Sequence, residues 1–421
     1  MSPCPLGPAD RRLRDAFEIW RKIEAAYFEP DEFRRQLNSF FQEARNVTFV
    51  LQNNKKLIPR FAEWYVPWQE RFRADPMMQW SVAARNRITK QGDLDTQSLS
   101  VVTFFTDWTD DLTRRFTAPP AVPSTTVLRQ VLQKIPQERV SEESVVCIER
   151  RWQDSQLPDH EMLDATAYVL RQLFELLEDA HNFVAQDQSA KPCDQFQKLQ
   201  ALRQSSAIDL ANADDSRKIW TRATNLSRIK YSLTQQALFD RNSLDDTQHL
   251  LEAHYGPAPA LSELGESKTL DDAVAAQLKV AKWLLAKDKK LIPTMLVKPV
   301  GNQQMIVLQV LMEDRAGKHI AIRRVASFLS RQDIEWVILV NEVWLASFDP
   351  RNPPPARHAI DFPDRREAIA VNGVGADGSF SNWTAEFTRR GDAIEFGDDR
   401  PDHHPTNILL PILRSIANAD E

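Results

Sequence analysis

Cysteine is scarce in this sequence. The three residues Cys4, Cys147 and Cys193 are odd in number and lie far apart along the chain. This count and spacing exclude a CxxC metal or redox motif and a disulfide framework, and they indicate a reducing compartment. No stretch approaches the roughly 18 uncharged apolar residues that a membrane span requires. We therefore predict a cytoplasmic protein without a membrane partner.

A strong net charge of either sign is also missing. The formal net charge is -6, from 53 Lys+Arg against 59 Asp+Glu, so the chain has no global positive field for nucleic acid. The motifs GxxxxGK[ST] and GxSxG do not occur, which disfavours nucleotide hydrolysis by a P-loop and esterase chemistry. Any contact with nucleic acid must therefore be a local patch.

The front half has apolar residues at helical spacing. With 421 residues the chain exceeds the size at which one core keeps growing, so we expect at least two domains. We predict a helical bundle over 1–205, with a β-containing insertion around 98–152 where β-branched and aromatic residues cluster. The stripes that predict the long helices are Leu13, Phe17, Trp20, Ile23 and Tyr27; Phe33, Leu37, Phe40, Phe41, Ala44, Val47 and Leu51; and Leu163, Ala167, Leu170, Phe174, Leu177, Ala180 and Val184.

The rear of the chain has a different pattern. Two short apolar runs separated by Pro299 to Asn302 predict a hairpin, and a helix follows through Ala321 to Leu329. The run Ile334 to Ala346 is apolar on both faces, which is typical of a central strand covered on both sides. We predict an α+β chain, with a helical linker region over 206–290 and a mixed α/β sandwich domain over 291–421.

A further predicted helix starts at Asp75-Pro76 and ends at Gly92, and its last turns carry Arg85, Asn86 and Lys90. Arg85 and Asn86 resemble the start of the motif of the HEPN superfamily, in which an arginine and a polar residue precede a histidine by four to six positions. The resemblance implies a homodimer through the helical bundle, with a metal-independent ribonuclease site at the interface.

Lys90 stands where the HEPN histidine would fall. Acid–base catalysis near neutral pH needs a group that titrates there, which imidazole does and an ordinary lysine does not. Two cations and an amide can still hold a phosphate, so the resemblance favours RNA binding over cleavage. The structural alternative is a helix-capping arrangement, in which Arg85 pairs with an acid such as Asp75 or Asp93 and Asn86 satisfies neighbouring backbone groups.

Glu342 is the candidate site residue of the rear domain. It lies in the middle of the strongest strand among apolar neighbours, where a carboxylate is costly unless it is paired or faces a cleft. The alternative is an ion pair with Arg323 or Arg324 of the preceding helix.

Other motifs predict no metal and no cofactor. Asp402-His403-His404 is a histidine pair in an acidic loop, and His249 and His254 are five residues apart, which places them on different faces of a helix. The GxGxxG string at 373–378 is not followed by a helix, so a glycine-rich turn explains it.

Two functions of different classes remain. The first is an HEPN-like protein without catalysis, which binds RNA or a nucleotide-bearing partner in bacterial stress or defence. The second is a protein-interaction scaffold that has no nucleic-acid function and whose protein partners the sequence does not identify.

Overall fold

Two compact units make up the chain. The front unit comprises Met1–Phe104, Asp111–Ser141 and Val146–Thr234, and the rear unit comprises Phe105–Asp110, Glu142–Val145 and Gln235–Glu421. A computed structural model describes residues 4–108, 111–117, 121–136, 138, 140–188, 196–198, 200, 217–223, 239–257, 264, 267–301, 304–310, 312, 314–330, 332–347 and 358–417. Within these ranges, no helix has both the length and the apolar character to cross a membrane.

Helices of the front unit pack around one apolar core. A proline in the first turn starts α1, α2 and α4, where its fixed φ suits the helix and its missing N–H has no partner to lose. The core contains the predicted stripes of α1, α2 and α6, so the prediction of a helical bundle is confirmed. The helices are α1 (Gly7–Ala25), α2 (Pro30–Asn53), α3 (Phe61–Ala74), α4 (Pro76–Lys90), α5 (Ser124–Leu132) and α6 (Met162–Gln188).

The predicted β-containing insertion is a small sheet. Its strands are β1 (Thr96–Phe105), β2 (Asp111–Thr117), β3 (Val145–Asp154) and β4 (Lys218–Arg222), in the spatial order β2-β1-β3-β4. Trp152 of β3 is buried, stacks on Phe33 of α2 and donates its indole N–H to the carbonyl of Tyr27 at 2.9 Å. The sheet is thereby bound to the helical core by both apolar and polar contacts.

A buried ion pair attaches α4 to the same sheet. The Asp154 side chain is fully buried and accepts hydrogen bonds from the Arg87 guanidinium, at 3.1 and 2.5 Å, and from Trp80 Nε1 at 2.8 Å. Burial alone would raise the pKa of Asp154, but the bonds from Arg87 and Trp80 hold it below its usual value. Arg85, two residues before Arg87, donates to Asn86 instead.

The rear unit is an antiparallel sheet covered by helices on both faces. Within the described residues it has seven strands in the order β11-β10-β9-β8-β6-β7-β5, so the strand with two apolar faces is central as predicted. The strands are β5 (Phe239–Ser243), β6 (Thr294–Pro299), β7 (Ile306–Val310), β8 (Ile334–Leu345), β9 (Arg366–Gly375), β10 (Phe380–Arg390) and β11 (Ala393–Asp402). The helices are α7 (Leu244–Tyr255), α8 (Leu270–Asp288), α9 (Arg315–Leu329) and α10 (Leu410–Ala417).

Each face of β8 contributes to a separate core. Trp336, Ile338 and Val340 pack under α8, whereas Val337 and Leu339 pack under α9 and α10. Each fully buried side chain of this size stabilises the fold by about 1.5–3 kcal/mol. The predicted mixed α/β sandwich is thus a helix–sheet–helix arrangement whose sheet is antiparallel.

Some elements differ from the sequence prediction. The helix α3, which contains Pro67, was not predicted. The predicted helical linker at 206–290 contains the strands β4 and β5, and its last helix, α8, covers the rear sheet. The rear unit therefore starts well before the predicted boundary at 291. The alanines on the buried face of α8 gave a weak apolar stripe. Val274 of the same face lies so close to β9 that a Cβ at Gly373 would be 2.7 Å from its Cγ2.

Two arginines of α4 provide a matched test of the buried ion pair. Arg87→Met leaves the Asp154 carboxylate buried without its cation, so we expect the free energy of unfolding to fall by about 3 kcal/mol. Arg85→Met removes a charge from the same helix but leaves no buried carboxylate without its cation. It should change the free energy of unfolding by less than about 0.5 kcal/mol. Denaturant unfolding of the two variants measures the difference, and equal losses would refute the assignment.

Candidate functional site

The α9 side of the rear sheet changes from apolar to polar along β8. Because side chains alternate across a strand, Asn341 continues the face of Val337 and Leu339. In register, Asn341 lies opposite Ala370, and Leu339 lies opposite Asn372 of β9. Thr384 of β10 lies opposite Ala370 and extends the same polar surface. Amides and a hydroxyl thus replace aliphatic side chains where the core would otherwise continue.

The first turns of α9 lie beside this polar surface. Asp314 caps the helix by accepting a hydrogen bond from Gly317 N at 2.7 Å, which fixes where the helix begins. This start places Arg315, Lys318 and His319 at the polar end of the sheet. Together with the sheet they form a cleft of about 470 Å³, lined by Trp108, Glu143, Arg315, Lys318, His319, Asn341, Val343, Leu345, Ala370, Asn372, Thr384, Thr406 and Ile408.

His319 is a fixed, neutral wall of the cleft. It is 1% exposed, its Nε2 accepts a hydrogen bond from Arg323 Nε at 2.9 Å, and its Nδ1 lies 3.1 Å from the Glu143 carbonyl. Because a guanidinium can only donate, the ring proton must be on Nδ1, where it bonds to that carbonyl. Burial first, and then the charge of Arg323, lower the pKa of His319 to about 4. The imidazole is therefore uncharged at neutral pH.

Lys318 brings a poorly solvated positive charge to the cleft. Burial lowers the pKa of its ammonium, and the carboxylate of Glu143 opposes that shift. Glu143 is shared, because its Oε1 lies 3.9 Å from Arg315 Nε and 3.6 Å from His358 Nδ1. Lys318 and Arg315 are thus both close to the single carboxylate of Glu143. The side chains that line the cleft therefore keep a net positive charge.

Asn341 adds a buried acceptor to the cleft. Its side chain is 5% exposed, and its Nδ2 donates to the Glu342 carbonyl at 3.1 Å. Among the described residues nothing donates to its Oδ1. An unsatisfied buried acceptor costs about 1–3 kcal/mol, and such groups are retained at sites where a ligand or water completes the bond.

Glu342, the residue singled out from the sequence, lies on the opposite face of the sheet from the cleft. Its carboxylate accepts hydrogen bonds from Arg389 Nη2 and from Leu291 N, both at 2.6 Å. The predicted ion pair with Arg323 or Arg324 is wrong, since one step along the strand turns Glu342 away from α9. Its partner comes from β10.

Arg85, Asn86 and Lys90 lie in the last two turns of α4. Asn86 and Lys90 are exposed, and Arg85 Nη1 donates to Asn86 Oδ1 at 3.3 Å. The alternative pairing with Asp75 or Asp93 is also wrong. Asp75 caps α4 and accepts from Tyr168, while Asp93 accepts from Arg34 and Asn38. The structure therefore leaves the three residues as neighbours along α4, with Arg85 half-buried and Asn86 and Lys90 exposed.

Sequence reasoning missed the cleft itself. The pair Asn341-Glu342 was recognised as unusual, but Glu342 and not Asn341 was predicted as the site residue. Lys318 and His319 were not predicted. The available signal was the break in the apolar alternation of β8 at Asn341, next in space to a helix whose first turn carries two cations.

Comparison with known proteins gives a family across nearly the whole chain. The family model described as "Bacteriophage lambda protein ea47" matches residues 2–414. The chain is 25% identical over 375 residues to "Protein ea47" of Escherichia phage lambda, which covers 87% of this chain and 86% of the relative. No solved structure matches the chain significantly.

This match includes the segment on which the HEPN resemblance rested. The prediction of an HEPN-like bundle is therefore wrong, and the prediction of RNA binding loses its support with the resemblance from which it came. A motif of two adjacent residues at the end of a helix is too short to identify a family. With 413 of its residues matched by one family model, the chain belongs to the family of bacteriophage lambda protein Ea47.

Proposed function

We propose that the rear unit binds a small anionic molecule in the cleft between α9 and the polar end of β8. The observation that carries this proposal is Lys318, a half-buried cation on the cleft wall above a floor of amides and hydroxyls. A buried charge is unfavourable unless something compensates it. Glu143 compensates only part, because it also neighbours Arg315 and His358.

The neutrality of His319 determines which groups bind the anion. An uncharged imidazole whose two nitrogens are already bonded offers neither charge nor a spare donor. The charge of the ligand must then be balanced by Lys318 and Arg315. Lysine and arginine form charge-assisted bonds to carboxylates and phosphates that are about twice as strong as neutral ones.

The polar floor indicates what else the ligand carries. Asn372 and Thr384 can donate to ligand oxygens, whereas the Oδ1 of Asn341 needs a donor. A carboxylate or phosphate ester that also has a hydroxyl or amino group satisfies both requirements. The cleft volume of about 470 Å³ falls within the range of small-molecule sites, roughly 300–1,000 Å³.

The earlier alternative, a protein-interaction scaffold, stays a prediction, as do homodimerisation through the helical bundle and the cytoplasmic location. Anion binding is compatible with each of them. A scaffold regulated by a metabolite would use the rear unit as its sensor.

Replacing Lys318 tests the proposed function directly. Thermal melting and calorimetry with inorganic phosphate, malate and ribose 5-phosphate should detect binding of at least one of the three, with ribose as the uncharged control. We expect Lys318→Met to weaken that binding roughly 10- to 100-fold, since one charge-assisted bond contributes about 1.5–3 kcal/mol.

Lys282→Met is the matched control. Lys282 lies on α8, over the other face of the same sheet, and pairs with Asp399. Its replacement should leave binding unchanged. If none of the three anions binds the wild-type protein, or if both variants bind as the wild type does, the cleft is not an anion site.

The neutral state of His319 predicts a pH dependence of stability. The unfolded histidine takes up a proton near pH 6.5, whereas the folded one does so only near pH 4. Between these values the unfolded state binds more protons, so the free energy of unfolding falls as the pH falls, by up to about 3 kcal/mol, and then levels off.

Denaturant unfolding of the wild type and of His319→Gln from pH 7 to pH 4 isolates this contribution. Glutamine does not titrate, so the difference in the free energy of unfolding between the wild type and His319→Gln should narrow as the pH falls from 6.5 to about 4. Parallel profiles would show that the imidazole is not held neutral.

A further inference from the structure

Three potential metal ligands from distant parts of the sequence meet in the front unit. Asp10 is in the first turn of α1 and His181 is in α6, 171 residues later, and His181 Nε2 lies 3.0 and 3.1 Å from the two carboxylate oxygens. The Cys4 thiol joins them, so that one ligand atom from each of the three residues lies within 4.8 Å of the other two. Asp10 and His181 are 1% and 6% exposed.

The positions of all three residues are fixed by the surrounding fold. Leu6, two residues after Cys4, is fully buried in the core, and the Pro5 carbonyl accepts a hydrogen bond from Asn54 Nδ2 at 3.3 Å. The imidazole of His181 is covered by Phe196, whose ring centre is 4.1 Å away and nearly parallel. Because Asp10 and His181 are buried and Cys4 is half-buried, the cluster is a defined site and not an encounter of surface side chains.

Charge balance favours a divalent cation over a simple ion pair. A thiolate and a carboxylate bring two negative charges and a neutral imidazole brings none, so one divalent ion balances the charge of these three ligands. In the simple alternative, a protonated His181 neutralises Asp10. That pair leaves the position of the thiol without a role.

The donor set identifies the metal. Sulfur and imidazole nitrogen select against calcium and magnesium, which prefer oxygen, and one carboxylate completes a set typical of zinc. We infer that Cys4, Asp10 and His181 bind a Zn²⁺ ion in the front unit. Three protein ligands leave the fourth tetrahedral position to water or to an added ligand. The cysteine spacing gave no sign of this, because its partners are an aspartate and a histidine.

Cobalt(II) is the probe for this site, since it adopts zinc geometries and is coloured. Purified full-length protein, stripped with a chelator and titrated with Co²⁺, should bind one ion per chain and develop a sulfur-to-cobalt charge-transfer band. Adding Zn²⁺ should abolish the band. Cys4→Ser should lose the band, and His181→Gln should lower the Co²⁺ affinity at least tenfold.

Cys147→Ala is the control for the thiol, because Cys147 is a buried cysteine outside the cluster. It should keep both the band and the stoichiometry. Thermal melting gives a second readout: Zn²⁺ should raise the melting temperature of the wild type and of Cys147→Ala but not of His181→Gln. Absence of Co²⁺ binding by the wild type would overturn the inference, as would a charge-transfer band that persists in Cys4→Ser.

Discussion

The rear unit depends on one constraint, the alternation of side chains along β8. As the central strand, β8 must fill a core on each face, and residues 336–340 do this with five apolar side chains in succession. The same alternation determines what happens where the cores end. Asn341 falls on the α9 side and joins the cleft, and Glu342 falls on the α8 side and pairs with Arg389. Two polar neighbours in sequence thus have different surroundings, since one lines the cleft and the other holds an ion pair.

The electrostatics of the cleft follow from how tightly α9 packs on this strand. The packing of α9 that buries the hydrophobic core also reduces the solvation of Lys318 and His319, which lie at the edge of that core. His319 responds by staying neutral and satisfying both nitrogens within the protein. Lys318 has the Glu143 carboxylate as its opposing charge, and Glu143 has other neighbours. A ligand that brings negative charge would restore the balance, which is why the cleft is an anion site in our account.

The sequence predicted the parts of the fold that depend on local pattern. The stripes of α1, α2 and α6 and the apolar run of β8 are long enough to predict whether each element is a helix or a strand and which of its residues are buried. Asp75-Pro76 also marked the start of α4 correctly, because capping chemistry is local. The buried face of α8 was harder to recognise, since its alanines make a weak apolar stripe and the close contact of Val274 with Gly373 exists only in the folded sheet. The candidate sites were harder still. Arg389 lies 47 residues from Glu342, and His181 lies 171 residues from Asp10, so no spacing rule could have joined them.

The titration of Lys318 tests the central claim most directly. Carbon-13 NMR of the labelled lysine side chain would follow the protonation of its Nζ as the pH is changed. The full-length protein would be titrated with and without a saturating anion from the binding assay. The account predicts a pKa below the usual lysine range in the absence of ligand, and a rise when the anion binds, because a bound negative charge stabilises the ammonium. An ordinary lysine pKa that the anion leaves unchanged would contradict it.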